Sequence, residues 1–301
     1  MDEPLVWQGR LTARRRLMRE AWSCAGGGLL WLTLFLVLPS LLVGGMAFAG
    51  RDPYGQVVWD FTLENFRRLA GFGALGWSPA YFYILVRSLW LALVVTLFSV
   101  GLAYPLAFFM AGLGPRRRAL ALALVAIPLC TNLIIRTYAW ELLLSPQLPP
   151  ARLAAWLGLI APGEALYPGA LGVYLGMISY SLPFAVLPLY TNVERLNWSQ
   201  VEAARDLYAP GWQVFARVIL PQTLPGLSAA VVLTFVPTLG IFAIADRLGG
   251  ATFMLVGNAI QQQFSASRDY PFGAALSLVL ILLTLAGLLL YRRHQRETAL
   301  L

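Results

Sequence analysis

The sequence contains no lysine, since all 22 basic residues among its 301 are arginines. The nucleotide-binding loop G-x-x-x-x-G-K-[ST] needs its lysine to hold phosphate oxygens, so this chain cannot bind ATP in that way. Charged side chains are also scarce, at 12% against roughly 25% in soluble domains. Together with 59% hydrophobic residues, this scarcity excludes a water-soluble globular domain.

Six long apolar runs predict six membrane-spanning helices. A helix needs about 20 apolar residues to cross the hydrocarbon layer, and its backbone groups must be satisfied within the segment. Strands of a membrane barrel would alternate, whereas these runs are apolar on every face. The fold class is therefore all-α and polytopic, with an N-terminal segment at 1–25 and one membrane domain over 26–301. The predicted spans are 26–49, 84–111, 119–143, 170–192, 220–245 and 272–291.

The arginines predict the orientation. If the N-terminus is cytoplasmic, fourteen arginines fall in inside segments and six in outside segments, while Arg87 and Arg136 lie within spans. Because inside loops carry the excess of basic residues, both termini are expected in the cytoplasm. The net charge of +8 then reflects membrane topology, and no nucleic-acid partner is expected.

The first apolar run has a second interpretation, as a signal peptide. An arginine-rich stretch precedes it, and Ala47 and Ala49 give an A-x-A cleavage pattern. We favour an uncleaved span, because the run exceeds the usual signal length and its loss would leave an odd number of spans. Cys24 and Cys130 lie at different predicted depths, so we expect no disulfide and interpret both as packing residues.

Two predicted outside loops separate the spans. In the first excursion, residues 50–83, "RDPYGQ" predicts a turn and "TLENFRRL" a short surface helix. In the second excursion, residues 144–169, "SPQLPP" breaks the chain before "ARLAAWLGLI", which has the pattern of an amphipathic helix at the membrane interface. Neither loop is large enough for an enzyme domain.

A polar stretch, "NWSQVEAARDLYAPGWQVFARVILP", interrupts the apolar sequence at residues 197–221, and we name it the hairpin segment. Ser199 and Glu202 fit the S-x-x-E capping box, which predicts a helix beginning at about 199. Pro210 and Gly211 end that helix, and a second begins at about Trp212. We therefore predict a cytoplasmic helix-turn-helix over about 199–215. A DNA-binding role is excluded, because both ends enter membrane spans and the charges cancel.

The hairpin segment resembles the EAA motif of ABC-importer permeases, EAA-x3-G-x9-I-x-LP. Val218 stands at the isoleucine position, and Tyr208 replaces the motif glycine. Either Pro210 and Gly211 have taken over the turn, or the docking surface differs. In this family the motif is a coupling helix that docks on a separate ATPase subunit. The resemblance assigns that coupling to Glu202, Ala203, Ala204, Asp206, Leu207, Tyr208, Gly211 and Pro221.

From about residue 84 the chain looks like the branch of permeases that includes the spermidine and putrescine importers, specifically the first of their two membrane subunits. Stretches that carry the likeness include "IPLCTNLIIRTYAWELLL" and "ISYSLPFAVLPLYTNVERL". The resemblance implies a heterodimer with a second permease subunit, two ATPase subunits and an external solute-binding protein, in the bacterial cytoplasmic (inner) membrane. It implies no catalytic residue, cofactor or metal on this chain, with ATP and Mg²⁺ on the ATPase.

A polyamine pathway would use carboxylates for the ammonium groups and aromatic faces for the cationic chain. Polar groups within spans are costly and commonly face a cavity or a partner. The pathway candidates are Tyr138, Trp140, Glu141, Tyr180 and Asp246. Their aromatic members also fit interfacial anchors, and Arg136 opposes a cationic solute unless an acid on the partner subunit neutralises it.

Three alternatives to a polyamine importer stay open. An ion-coupled secondary transporter would show paired internal repeats with matching broken helices, and none is recognisable in the sequence. A permease for another small organic solute would share most of these patterns. A membrane scaffold would not require a two-helix cytoplasmic segment of this type.

Overall fold

The structure is a computed structural model that describes residues 25–52, 54–73, 76–250 and 253–298. The predicted N-terminal segment lies outside the described residues apart from Ala25, and so does Cys24. Within the described ranges the chain is mostly helical. Its helices are α1 (Ala25–Met46), α2 (Glu64–Leu69), α3 (Ala80–Ala111), α4 (Pro115–Cys130), α5 (Leu133–Leu143), α6 (Pro149–Trp156), α7 (Ala170–Glu194), α8 (Trp198–Asp206), α9 (Gly211–Gly240), α10 (Ala243–Gly249), α11 (Val256–Ser265) and α12 (Tyr270–Thr298).

Five of these helices are long and apolar enough to cross a membrane, namely α1, α3, α7, α9 and α12. A sixth span requires that α4 and α5 be counted together, although they are bent by 102°. The all-α polytopic prediction is confirmed. The predicted spans agree with the helices except for the third and the end of the fifth.

The predicted third span, 119–143, is wrong as one continuous helix. Pro128 lacks the amide proton that a helix interior needs, and Thr131 is extended, with ψ of 145°. Asn132 then starts a new helix, because its side-chain oxygen accepts a hydrogen bond from the amide of Ile134 at 2.8 Å. Asn132 therefore caps α5 and is not part of a continuous membrane-spanning helix.

The fifth span ends earlier than predicted. α9 stops at Gly240, and Ile241 is extended, with ψ of 118°. The chain resumes as the separate helix α10, which the sequence pattern had merged with the span. Pro237 near the end of α9 removes a backbone donor, which favours termination there.

The core consists of α3, α7 and α9, which pack against one another. Small residues let the backbones approach, as is common between membrane helices. At Gly226 of α9, an added Cβ would lie 2.5 Å from Cβ of Asn192 on α7. Hydroxyl groups also join the helices, with Tyr104 Oη and Thr223 Oγ1 2.6 Å apart.

The first excursion forms a small layer over the ends of α1 and α12. It contains the hairpin β1 (Gly50–Arg51) and β2 (Val57–Val58), then α2, then the hairpin β3 (Phe72–Gly73) and β4 (Gly76–Trp77). The predicted turn and short helix are confirmed. Both Nη atoms of Arg68 donate to Oδ2 of Asp269, at 3.0 and 3.1 Å. Asp269 is only 2% exposed, so this ion pair fixes the layer to the start of α12.

The second excursion contains α6 over Pro149–Trp156, which confirms the predicted short helix. Its alanines at 151 and 154 are buried, whereas Trp156 is 81% exposed, as an amphipathic helix requires. Cys130 is exposed at the end of α4. The interpretation of Cys130 as a packing residue is therefore wrong for the described chain.

Candidate functional site

The hairpin segment begins with a cap that the sequence interpretation had misplaced. Asn197 is the N-cap of α8, and its Oδ1 accepts from the amide of Ser199 at 3.2 Å. Ser199 lies inside the helix, so the predicted Ser199–Glu202 capping box is wrong. Asparagine is at least as good a cap as serine, and it comes two residues earlier. In the described chain the carboxylate of Glu202 has no hydrogen bond or ion pair, so capping does not explain it.

The turn of the hairpin segment lies at Tyr208, which has φ of +55°. The amide of Ala209 donates to the carbonyl of Ala204 at 3.2 Å, and that of Tyr208 to the carbonyl of Arg205 at 2.9 Å. These two bonds form a Schellman motif, whose left-handed position normally takes glycine. The motif glycine has thus been replaced without moving the turn.

Pro210 and Gly211 have a different role from the one predicted. Pro210 is the N-cap of α9, with ψ of 151°, and Gly211 is its first helical residue. Of the two alternatives given for the missing glycine, the one in which this pair takes over the turn is therefore wrong. The second helix begins at Gly211, one residue before the predicted start.

The inner face of the hairpin segment packs on the membrane helices. Leu196, Val201 and Val214 are buried together, and Phe108 of α3 packs against them. Gln222 of α9 adds polar contacts: its Oε1 accepts from the amide of Asn197, and its Nε2 donates to Oε1 of Gln200, both at 3.1 Å. The segment is therefore attached to two different spans.

The outer face is apolar at its tip and carries free charges beside it. The side chains of Leu207 and Tyr208 are 82% and 95% exposed, and Trp212 is 67% exposed. Glu202, Ala203, Asp206, Gly211 and Pro221 are also exposed, whereas Ala204 faces the inner cluster and is half-buried. Exposed aromatics beside charged groups are typical of a protein docking surface.

The pathway candidates lie on three helices that pack together, α5, α7 and α10. Trp140 and Tyr180 are half-buried against the apolar cluster around Met177. Glu141 is half-buried, and Asp246 is exposed in the first turn of α10.

Arginines already occupy two of the candidate aromatic faces. The guanidinium carbon of Arg247 lies 4.6 Å from the ring centre of Tyr138, and that of Arg136 lies 5.9 Å from Tyr180. Arg247 follows the predicted fifth span, 220–245, and so counts among the six arginines expected outside. The contact could not be predicted, because the break before α10 was not. In the described residues neither arginine forms an ion pair with a carboxylate of this chain.

Curated relatives support a transport role. The sequence matches the family of binding-protein-dependent transport system inner membrane components over residues 27–299. It is 40% identical over 266 residues to the spermidine/putrescine transport system permease protein PotB of Escherichia coli K12, covering 88% of this chain and 94% of that protein. It is 34% identical over 281 residues to the inner membrane ABC transporter permease protein YdcU of the same bacterium, covering 85% and 89%.

A solved structure shares the fold. A chain of a bacterial alginate ABC transporter, in complex with a periplasmic protein that holds an alginate pentasaccharide, has a TM-score of 0.71 and 16% identity. The alignment covers 96% of this chain and 98% of that chain. The fold is that of a type I ABC-importer permease, and the family implied by the hairpin segment is confirmed. The chain belongs to the binding-protein-dependent transport system inner membrane components, the multi-pass permeases of ABC importers.

Proposed function

We propose that this chain is one of two membrane subunits of an ATP-driven importer for a polyamine such as spermidine or putrescine. Similarity to PotB over 88% of the chain supports the substrate class. The observation that carries the coupling role is the hairpin segment, whose Leu207, Tyr208 and Trp212 are exposed although they lie between two membrane spans. A connector with no partner would not need three large apolar side chains at its tip.

The hairpin segment docks on an ATPase subunit on the cytoplasmic side. The excess of arginine in the segments assigned to that side supports this orientation, in which both termini are cytoplasmic as well. Glu202 and Asp206 supply charge beside the apolar tip. ATP and Mg²⁺ bind to the ATPase subunit, and the movement of that subunit is transmitted to this chain.

Movement at the docking surface reaches the spans through the inner face of the hairpin segment. Phe108 connects it to α3, and Gln222 connects it to α9. A packed interior transmits displacement because it is close to incompressible. A shift of α8 is therefore passed to two helices of the three-helix core.

The pathway runs beside α5, α7 and α10. Tyr138 and Tyr180 offer ring faces to ammonium groups, and Glu141 and Asp246 offer carboxylates. Trp140 packs on the apolar cluster around Met177. Arg247 and Arg136 compete with the solute for the two tyrosine faces. Solute entry thus requires the arginines to move or to find carboxylates on the second permease subunit.

The test begins with co-purification of the tagged chain in detergent. We expect an ATPase subunit to accompany it, and we expect ATP hydrolysis in proteoliposomes to rise when a spermidine-loaded binding protein is added. Glu202→Arg should leave membrane insertion intact and abolish that stimulation. Glu64→Arg, an exposed carboxylate on α2, is the matched control and should keep it.

Two results would count against the proposal. Unchanged spermidine uptake by Glu202→Arg would remove the coupling role of the hairpin segment. Uptake driven by an ion gradient in vesicles that lack any ATPase would favour a secondary transporter instead.

A further inference from the structure

A cavity of about 420 Å³ lies between the β1–β2 hairpin and the loop before α12. Arg51, Tyr54 and Gln56 line it from the hairpin, Arg268 lines it from the loop, and Tyr270 lines it from the first turn of α12. Among the described residues no acidic side chain lines this cavity. It is therefore a positively charged pocket on the side of the chain opposite the hairpin segment.

Arg51 belongs to the framework of the pocket. Its Nη1 lies 3.4 Å from Oδ2 of Asp269, and its Nη2 donates to the carbonyl of Ser267 at 3.1 Å. Asp269 also accepts from Arg68, so two guanidinium groups share one carboxylate. The ion cluster behind the pocket thus carries excess positive charge.

Arg268 is held in an unusual backbone conformation, with φ of +48°. Its neighbours are anchored, because the amide of Ser267 donates to the carbonyl of Gln262 at 3.0 Å and that of Asp269 to the carbonyl of Gln263 at 2.9 Å. Strain of this kind persists where the surroundings impose it, and it is frequent at binding sites. Arg268 is exposed, and in the described chain its guanidinium has no ion pair.

We propose that this pocket receives a carboxylate side chain of the solute-binding protein, with Arg268 as its contact. The family depends on such proteins, and a transporter of the same fold has been solved with a periplasmic protein bound. Guanidinium groups match a carboxylate through paired hydrogen bonds. The cavity is large enough for one acidic side chain and too small for a folded element. The inference rests on the proposed function, which places this side of the chain outside the cytoplasm.

The test measures association of the spermidine-loaded binding protein with the whole transporter in lipid nanodiscs. Arg268→Asn removes the charge but tolerates the left-handed backbone, and Arg268→Glu reverses the charge. We expect Arg268→Asn to slow association severalfold and Arg268→Glu about tenfold at low salt, with a weaker dependence on salt, because charges at a docking site act mainly on the association rate. Arg67→Glu on α2, an exposed arginine outside the pocket, is the control and should change the rate less than twofold.

If Arg268→Glu and Arg67→Glu slowed association equally, the proposal would be overturned, since both would then act only through the overall electrostatic field of the surface. Unchanged binding by both Arg268 variants would overturn it as well. A third result would also overturn it: free glutamate raises the unfolding temperature only when Arg268 is present, while docking of the binding protein does not require Arg268. The pocket would then be a site for a small carboxylate. Basal ATP hydrolysis, measured on the same nanodiscs, separates this result from failure of the proposed function, which would appear as absence of the ATPase.

Discussion

Replacing Tyr208 by glycine separates the two properties of that residue, its backbone conformation and its ring. A non-glycine residue in the left-handed region costs about 1–2 kcal/mol. Glycine avoids this strain, but it loses more conformational entropy on folding than other residues, which offsets about 0.5–1 kcal/mol of the gain. Since the ring is 95% exposed, its removal takes no contact from this chain. We expect Tyr208→Gly to leave the stability of the isolated subunit unchanged or to raise it by about 1 kcal/mol.

The expected effect on the assembled transporter has the opposite sign. An aromatic side chain buries about 150–250 Å² when it is fully covered, and about 25 cal/mol is gained for each Å². Full burial of Tyr208 in a groove of the ATPase would thus contribute about 4–6 kcal/mol as an upper limit. If half of the side chain is covered, its loss of about 2 kcal/mol weakens the complex roughly 30-fold.

Four variants distinguish ring from backbone. Tyr208→Phe keeps the ring, Tyr208→Asn tolerates the left-handed region without a ring, Tyr208→Gly removes both ring and strain, and Tyr208→Val removes the ring and adds β-branched crowding. The measurements are thermal unfolding of the purified subunit and the dissociation constant for the ATPase subunit. Affinity should be kept by Tyr208→Phe and lost by the other three.

The stability order differs from the affinity order, which makes the reasoning refutable. Tyr208→Val should unfold at the lowest temperature and Tyr208→Gly at the highest. If Tyr208→Gly binds the ATPase as tightly as the original chain, the ring is not part of the docking surface. If it is also less stable, the strain argument fails.

Three further substitutions test the attachments of the fold. Gln222→Leu removes the polar contacts to α8. We expect the number of ATP molecules hydrolysed per imported spermidine to rise severalfold, with unchanged expression of the chain. Asp269→Asn should lower the stability of the first excursion by about 2 kcal/mol, seen as faster proteolysis there, whereas the exposed Asp60→Asn should not. Gly226→Ala places a Cβ 2.5 Å from that of Asn192 and should cost about 1–3 kcal/mol, read as a lower unfolding temperature.

The long apolar helices could be predicted because their signal is local. Composition over about 20 residues decides whether a helix can span, and α3 and α7 were found within a few residues of their bounds. The break at Thr131 and Asn132 was missed for the same reason, since the apolar run continues through it. The sequence signal for this break is a proline followed by a capping residue. Averaging hydropathy over the whole apolar run conceals it.

The hairpin segment was predictable as two helices, but not in its details. Asn197 and Ser199 are both good caps, and the sequence does not decide between them. In the structure the helix begins after Asn197, with Leu196 and Val201 packed together against Phe108. The contact of Arg247 with Tyr138 could not be inferred, because it joins α10 to α5 across the chain. The assignments of coupling and pathway residues stay predictions.

A tyrosine at the glycine position of a Schellman turn lowers the stability of this chain by itself. Among the described residues the turn makes no side-chain contact that offsets this strain. The hydrogen bonds of Ala209 and Tyr208 would form equally with glycine. The side chain projects from the tip, 95% exposed, beside Leu207. A residue that strains its own backbone, and whose side chain is free of contacts among the described residues, is best explained by a contact with another molecule. This strain is consistent with the proposed docking on an ATPase subunit, in which the partner as well as the membrane helices selects the residue at this turn.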